Sequence, residues 1–137
     1  MANGFALELQ KGLRAALVAD SDVTALVSTR IFDEPPQAVT YPFVRFGDIV
    51  PRAADTDGRL GMEITLSFHA FSRTTGRVQA AQIAEAIRES LHRKETTVSL
   101  TGFNLIELLC DTYFVDQDNE GRGHEAKIVF SAILEAA

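Results

Sequence analysis

The sequence predicts an α+β fold: an antiparallel-dominated sheet of about four strands with helices packed on one face, in the order α-α-β-β-α-β-β. Three observations predict it. From Leu60 to Phe71 apolar and polar residues alternate with a period of two. The same period returns from Ala126 to Leu134. Between these segments Ala80, Ile83, Ala84, Ile87 and Leu91 recur at helical spacing.

In chain order, Phe5, Leu9, Leu13, Ala16 and Leu17 form one apolar stripe of a first helix, with Glu8, Lys11 and Arg14 on its other faces. "DSDVTALVS" restarts a short second helix, which Asp20 or Ser21 can cap by accepting from its orphan amides, and which ends before Arg30. Pro35, Pro36 and Pro42 lack amide donors and hold the residues before them extended, so "DEPPQAVTYP" is a stiff, ordered loop. It leads into the strand "FVRFGDIV", with Val44 and Phe46 on one face, followed by "PRAADTDGR", a polar and mobile hairpin connection.

In the second strand Leu60, Met62, Ile64, Leu66, Phe68 and Ala70 form the buried row. The alanines of the long helix allow close approach to that sheet. After the turn at Thr101 and Gly102, a third strand alternates Ile106, Leu108, Cys110 and Phe114 with Leu105, Glu107, Leu109, Asp111 and Tyr113. The loop "DQDNEGRGHE" separates it from a last strand with Ala126, Ile128, Phe130, Ala132 and Leu134 inward. Neither a repeat nor a linker interrupts the chain, so residues 1–137 read as one domain.

Composition narrows the function classes. A chain of 137 residues, 46% hydrophobic and 23% charged, is long enough to bury its own core without disulfide or metal. Cys110 is the single cysteine, which predicts a reducing, cytoplasmic setting. The N-terminus reads as amphipathic rather than as a signal peptide, and no apolar run approaches the ~18 residues of a membrane span. The net charge of −6 opposes phosphate and argues against sequence-independent DNA binding.

The search for chemistry is mostly negative. His69, His92 and His124 fall in no close metal-ligand pair, and no phosphate-binding or nucleophile motif occurs. His69 reads as a surface histidine on a polar strand face, and Cys110 as an inert core thiol. In "DQDNEG", Asp116, Asp118, Glu120 and Gly121 match the start of a calcium loop, but Lys127 stands where the bidentate glutamate belongs, and the flanks read as strands. The loop is therefore expected to be a solvated hairpin tip. No metal site, cofactor or catalytic residue is expected.

Surfaces carry more information. The nominally outer strand positions hold Phe71, Leu109, Tyr113, Val129 and Ile133, where a water-facing sheet would be more polar. Two readings stand open: scattered or self-covered apolar residues, or burial against another subunit. Candidate partner-binding residues are Pro35, Pro36 and Tyr41 in the proline loop, Asp55 and Asp57 in the first tip, and Asp116, Asp118, Glu120 and Arg122 in the second. The proline loop is either an interface arm, preset for contact at low entropic cost, or a stiff connection packed on its own domain.

Four stretches, "LQKGLRAALVADSDVTALVSTRIFDEPPQAVTYPFVRFGD", "LSFHAFSRTTGRVQAAQIAEAIRESLH", "LTGFNLIELLCD" and "HEAKIVFSAIL", together resemble the tail-completion, or tail-terminator, family of long-tailed phages and gene transfer agents. The features that carry the resemblance are Arg30-Ile31-Phe32, Tyr41-Pro42-Phe43-Val44, Phe71-Ser72-Arg73 and Leu100-Thr101-Gly102, in that order. It covers nearly the whole chain.

The resemblance implies a structural protein rather than an enzyme. Such proteins form a ring, usually of six copies, on the head-proximal end of the tail tube. The implied partners are further copies of the chain, the tail tube protein and a head-tail connector or stopper, with DNA passing through the lumen without specific binding and no membrane involved. Assembly is expected in the cytoplasm, and the final place at the head-tail junction of the particle. Two other readings remain open: a head-completion or connector component of the same particle, and a small metal-dependent hydrolase using His69, Asp111 or the 116–124 loop.

Overall fold

In a computed structural model, residues 3–74, 76–117 and 123–137 are described. The chain forms helices α1 (Phe5–Ala19) and α2 (Ser21–Val27), strands β1 (Ile31–Phe32), β2 (Phe43–Ala53) and β3 (Gly61–Ser72), helix α3 (Val78–Leu91), and strands β4 (Phe103–Gln117) and β5 (His124–Ala136). A single 3-10 turn, Glu95–Thr97, precedes β4. The strands make one five-stranded sheet in the order β1-β2-β3-β5-β4. All pairs are antiparallel except β1 with β2.

The α+β prediction holds, with one strand more than expected. Ile31 and Phe32 pair in parallel with Val44 and Arg45, so the chain touches the sheet briefly before the proline loop. Two residues are too short to show a period, which is why the strand has no sequence signature.

Alternation in β3 and β5 builds the core. Ile64, Leu66, Phe68 and Ala70 lie opposite Ala132, Phe130, Ile128 and Ala126, and all eight are buried. Helix α3 seats its predicted stripe, Ala80, Ile83, Ala84, Ile87 and Leu91, on this face. Leu9, Leu13 and Leu17 of α1 and Val23 and Val27 of α2 complete the layer. Asp20 caps α2 by accepting from the amide of Asp22 at 2.9 Å.

Glu8, expected off the apolar stripe of α1, is buried. Its carboxylate accepts from the amide of Thr101 at 2.8 Å and from the side-chain amide of Asn3 at 3.2 Å. One turn further, a Cβ on Gly12 would stand 2.6 Å from Leu100 Cδ2 and 3.0 Å from the carbonyl oxygen of Ser99. The glycine thus lets α1 lie directly on the segment that leads into β4.

The first hairpin is tighter than the sequence suggests. Pro51, Arg52 and Ala53 belong to β2 rather than to the connection. The proline is tolerated because β1 covers only Val44 and Arg45 and leaves this part of β2 at the sheet edge. Beyond Ala53 the chain closes through mutual hydrogen bonds of Thr56 and Arg59, each 3.0 Å, around Asp57 and Gly58. Gly58 has φ +74°, the left-handed backbone that glycine adopts at the second central position of a turn without steric cost.

Strand β4 departs most from the expected alternation. Irregularities between Leu105 and Glu107 and between Cys110 and Thr112 each add a residue and shift which side chains point inward. Leu105, Leu108, Cys110, Tyr113 and Val115 end up opposite core residues of β5, whereas Glu107, Leu109, Thr112, Phe114 and Asp116 take the other face. Tyr113, expected on that other face, is therefore turned to the helices, where its hydroxyl donates to Glu85 of α3 at 3.4 Å. Phe114 takes the outward place instead and is 47% exposed.

Candidate assembly surfaces

The helices pack on one side of the sheet, leaving the face that holds Phe71, Leu109, Val129 and Ile133 without a helical cover. Strand register orders this face into rows across β2, β3, β5 and β4. At one end stand Phe43, Phe71, Glu125 and Asp116, followed by Arg45, His69, Lys127 and Phe114. In the middle are Ser67, Val129 and Thr112, beside the irregularity of β2 at Gly47 and Asp48. Then come Val50, Thr65, Ser131 and Leu109, and last Arg52, Glu63, Ile133 and Glu107.

Part of the face covers itself. The Phe43 and Phe71 rings stack at 4.9 Å, Tyr41 meets Phe43 edge-on at 5.0 Å, and Arg45 lies 5.5 Å over Phe71. Arg73 lies 4.2 Å over the Tyr41 ring. Tyr41 thus fastens the end of the proline loop to its own sheet, and Arg30 ties the loop's two ends by donating from Nε to the Pro42 carbonyl at 2.8 Å. The loop leaves β1 level with Arg45 and returns at Phe43, so it flanks the β1 side of the sheet, with Pro35 half-buried and Pro36 exposed.

Next to this corner His69 Nδ1 is 2.6 Å from Glu125 Oε2, and its Nε2 is 3.4 Å from Ser67 Oγ. Gly47 packs against both Ser67 and His69, where any side chain would collide. Asp111, the other residue weighed for chemistry, is not brought to His69: its carboxylate accepts from Ser131 Oγ at 2.9 Å, two rows away. Among the described residues no group of three or more His, Cys, Asp or Glu side chains is placed to hold a metal ion. Burial pushes the Cys110 thiol above its usual pKa, which favours the unreactive form.

The two polar tips lie at opposite ends of the sheet. Gly61, after the first tip, is opposite Glu135, and Ser72 is opposite His124, after the second. With twelve residues in β3, the strand ends from which the two connections leave are about 40 Å apart. Asp55 stiffens the first by accepting from the Gly61 amide at 3.0 Å, and Asp57 is exposed in its turn. Asp116 sits at the root of the second, opposite Glu125. Asp118, Glu120 and Arg122 lie outside the described residues.

Parts of both lateral edges of the sheet are occupied by the chain's own groups. On the β4 side, Glu95 accepts from the Leu108 amide and His92 Nδ1 from the Cys110 amide, each at 2.9 Å, while the Arg93 amide donates to the Leu108 carbonyl. On the β1 side, Arg14 donates from Nε to the Ile31 carbonyl at 2.8 Å. Such plugging blunts edge-to-edge strand pairing. None of these side-chain caps has a sequence pattern that announces it.

The described residues form a two-layer domain with an uncovered sheet face, a braced flank loop and hairpin connections that leave opposite ends of the sheet. Over residues 11–135 the chain matches the family described as tail completion protein gp17, and it belongs to that family of structural phage-tail proteins. It is similar in fold to a chain of the virion of a native gene transfer agent particle, with 21% identity, a TM-score of 0.88, and coverage of 98% of this chain and 100% of that one. It is also similar to the gp17 protein of bacteriophage SPP1, with 26% identity, a TM-score of 0.54, and coverage of 91% and 88%. No curated protein sequence matches it significantly. Among the described residues no helix is long and apolar enough to cross a membrane.

Proposed function

We propose that this chain is the subunit of a ring, six copies around, that caps the head-proximal end of a tail tube, stops its growth and joins it to a head connector or stopper. The observation that carries this reading is that the two polar hairpin connections leave opposite ends of one continuous sheet, at Ala53 and Gly61 on one side and Gln117 and His124 on the other. A ring between tube and connector needs contact surfaces above and below, and a core that holds them at a fixed separation. The remaining uncovered side of the sheet then serves contacts between copies, through Leu109, Val129 and Ile133, with the proline loop as an arm.

DNA passes through such a ring without being held. Acidic groups at its rim, Asp116 among them, repel phosphate and discourage sticking. In this reading the protein is not an enzyme and needs no cofactor. It is made in the cytoplasm and ends at the head-tail junction.

Removing the gene from producing cells tests the reading. Tails of irregular length with few joined heads are expected. Tails of normal length joined to heads would overturn it, and tails of normal length with unjoined heads would favour a head-completion or connector role instead.

A further inference from the structure

We infer that the ring closes by the β2 flank of one copy lapping onto the β4–β5 half of the outer face of the next. This inference rests on the ring reading and names its two mating surfaces. If the tips face tube and connector, the ring axis runs along the strands. Each row then keeps its height around the ring, and one copy's β2 side meets its neighbour's β4 side row against row.

The rows match. Arg52 shares a row with Glu107, and Val50 with Leu109, on opposite sides of the same sheet. Within one chain they are three strand spacings, about 14 Å, apart and cannot pair. Between neighbours they become direct partners: a cation with a carboxylate, and a 54% exposed valine with a leucine that leads on to Val129 and Ile133. Strand β4 contains Glu107, Asp111 and Asp116 and no basic residue, while β2 contains Arg45 and Arg52 against the single Asp48. Arg93 and Lys94, on the β4 flank, stand level with Ile49 to Pro51 of the neighbour, beside its Asp48.

Higher on the same flank, β1 and the proline loop stand in front of β2. They meet the part of β4 that carries the outward Phe114. A proline-rich surface against an aromatic ring buries apolar area on a loop already braced by Tyr41 and Arg30, so little ordering is needed. Since Leu108, Cys110 and Ile31 have their edge backbone groups occupied and Pro51 has no amide proton, the contact is made by side chains, not by strand addition. A heterologous contact of this kind closes into a ring when its rotation returns to the start.

Charge exchange between copies tests it in cells that produce the particle and lack this gene. Arg52→Glu alone and Glu107→Arg alone should each cut joined particles roughly tenfold or more, since each variant places like charges at every contact of the ring. Co-expressing the two variants should restore particles to near the wild-type level, because alternating copies put opposite charges at each contact again. Circular dichroism of each purified variant should show wild-type folding, as both positions lie outside the core. If wild-type tails carry rings but co-expression rescues nothing, or neither variant has an effect, the inference is overturned. If wild-type tails carry no ring, the ring reading itself falls, and the inference with it.

Discussion

Glu8 and Thr101, 93 positions apart in the sequence, are joined by a 2.8 Å hydrogen bond from the Thr101 amide to the buried Glu8 carboxylate. That bond holds the first helix to the entrance of β4. Glu95, in the 3-10 turn before β4, ties that turn to the strand's edge by accepting from the Leu108 amide.

Both carboxyls accordingly have pKa values below the ordinary 4.5, Glu8 chiefly through the Thr101 amide and Glu95 chiefly through the Leu108 amide. A carboxyl whose pKa falls on folding stabilises the fold fully above its unfolded value, and this is lost as pH falls through the folded value. Glu8→Gln and Glu95→Gln should therefore lower the melting temperature at neutral pH, with the difference from wild type shrinking as pH falls below 4.5 and the folded-state carboxyls protonate. Thermal melts across that range check it, and a difference that does not change with pH would contradict it.

Gly12→Ala should destabilise the protein even though alanine is favoured over glycine in a helix by about 1 kcal/mol. The added methyl meets Leu100 and the Ser99 carbonyl, and overpacking of this kind costs roughly 1–3 kcal/mol. Chemical denaturation reads the net change. A stabilised variant would show that the segment 98–100 yields freely.

Val129→Glu and Ile133→Glu should impair ring formation much more than folding, because an unpaired charge would then be buried between copies. Melting temperatures within a few degrees of wild type are expected, together with a sharp drop in joined particles. Outright unfolding of either variant would place that residue in the monomer core.

Replacing residues 117 to 122 with a short Gly-Ser turn should leave thermal stability nearly unchanged and reduce joined, infectious or transducing particles. Normal particle yield would reduce the loop to a solvated turn. Lost stability would mean that it packs in the fold.

The sequence displays its structure where one rule governs a whole element. Strands β3 and β5 and helix α3 each keep a single period against one layer, so their core rows are legible from the period, except that Leu60, read as the start of the β3 row, precedes the strand and is 62% exposed. Strand β4 could not be read this way, since its two irregularities reverse the alternation and exchange the places of Tyr113 and Phe114. The buried Glu8 and the edge caps from His92 and Glu95 are illegible in the sequence for a different reason. They answer backbone amides far along the chain, and no local pattern records such a partner.

The surfaces divide similarly. Of the set Phe71, Leu109, Tyr113, Val129 and Ile133 that the sequence assigns to the outer face, all but Tyr113 lie there. The proline loop's stiffness was visible in its composition, but its bracing by Arg73 over Tyr41 and by Arg30 depends on residues on either side of the fold. Likewise, the matching of Arg52 with Glu107 exists only once five strands are in register.

The most direct test is a reconstruction of the particle's tail at its head-proximal end. It should resolve six copies of this chain in a closed ring, with strands along the tail axis and the two tips of each copy facing opposite ways, one toward the tube and one toward the connector. A single copy at that position, or none, would contradict the account.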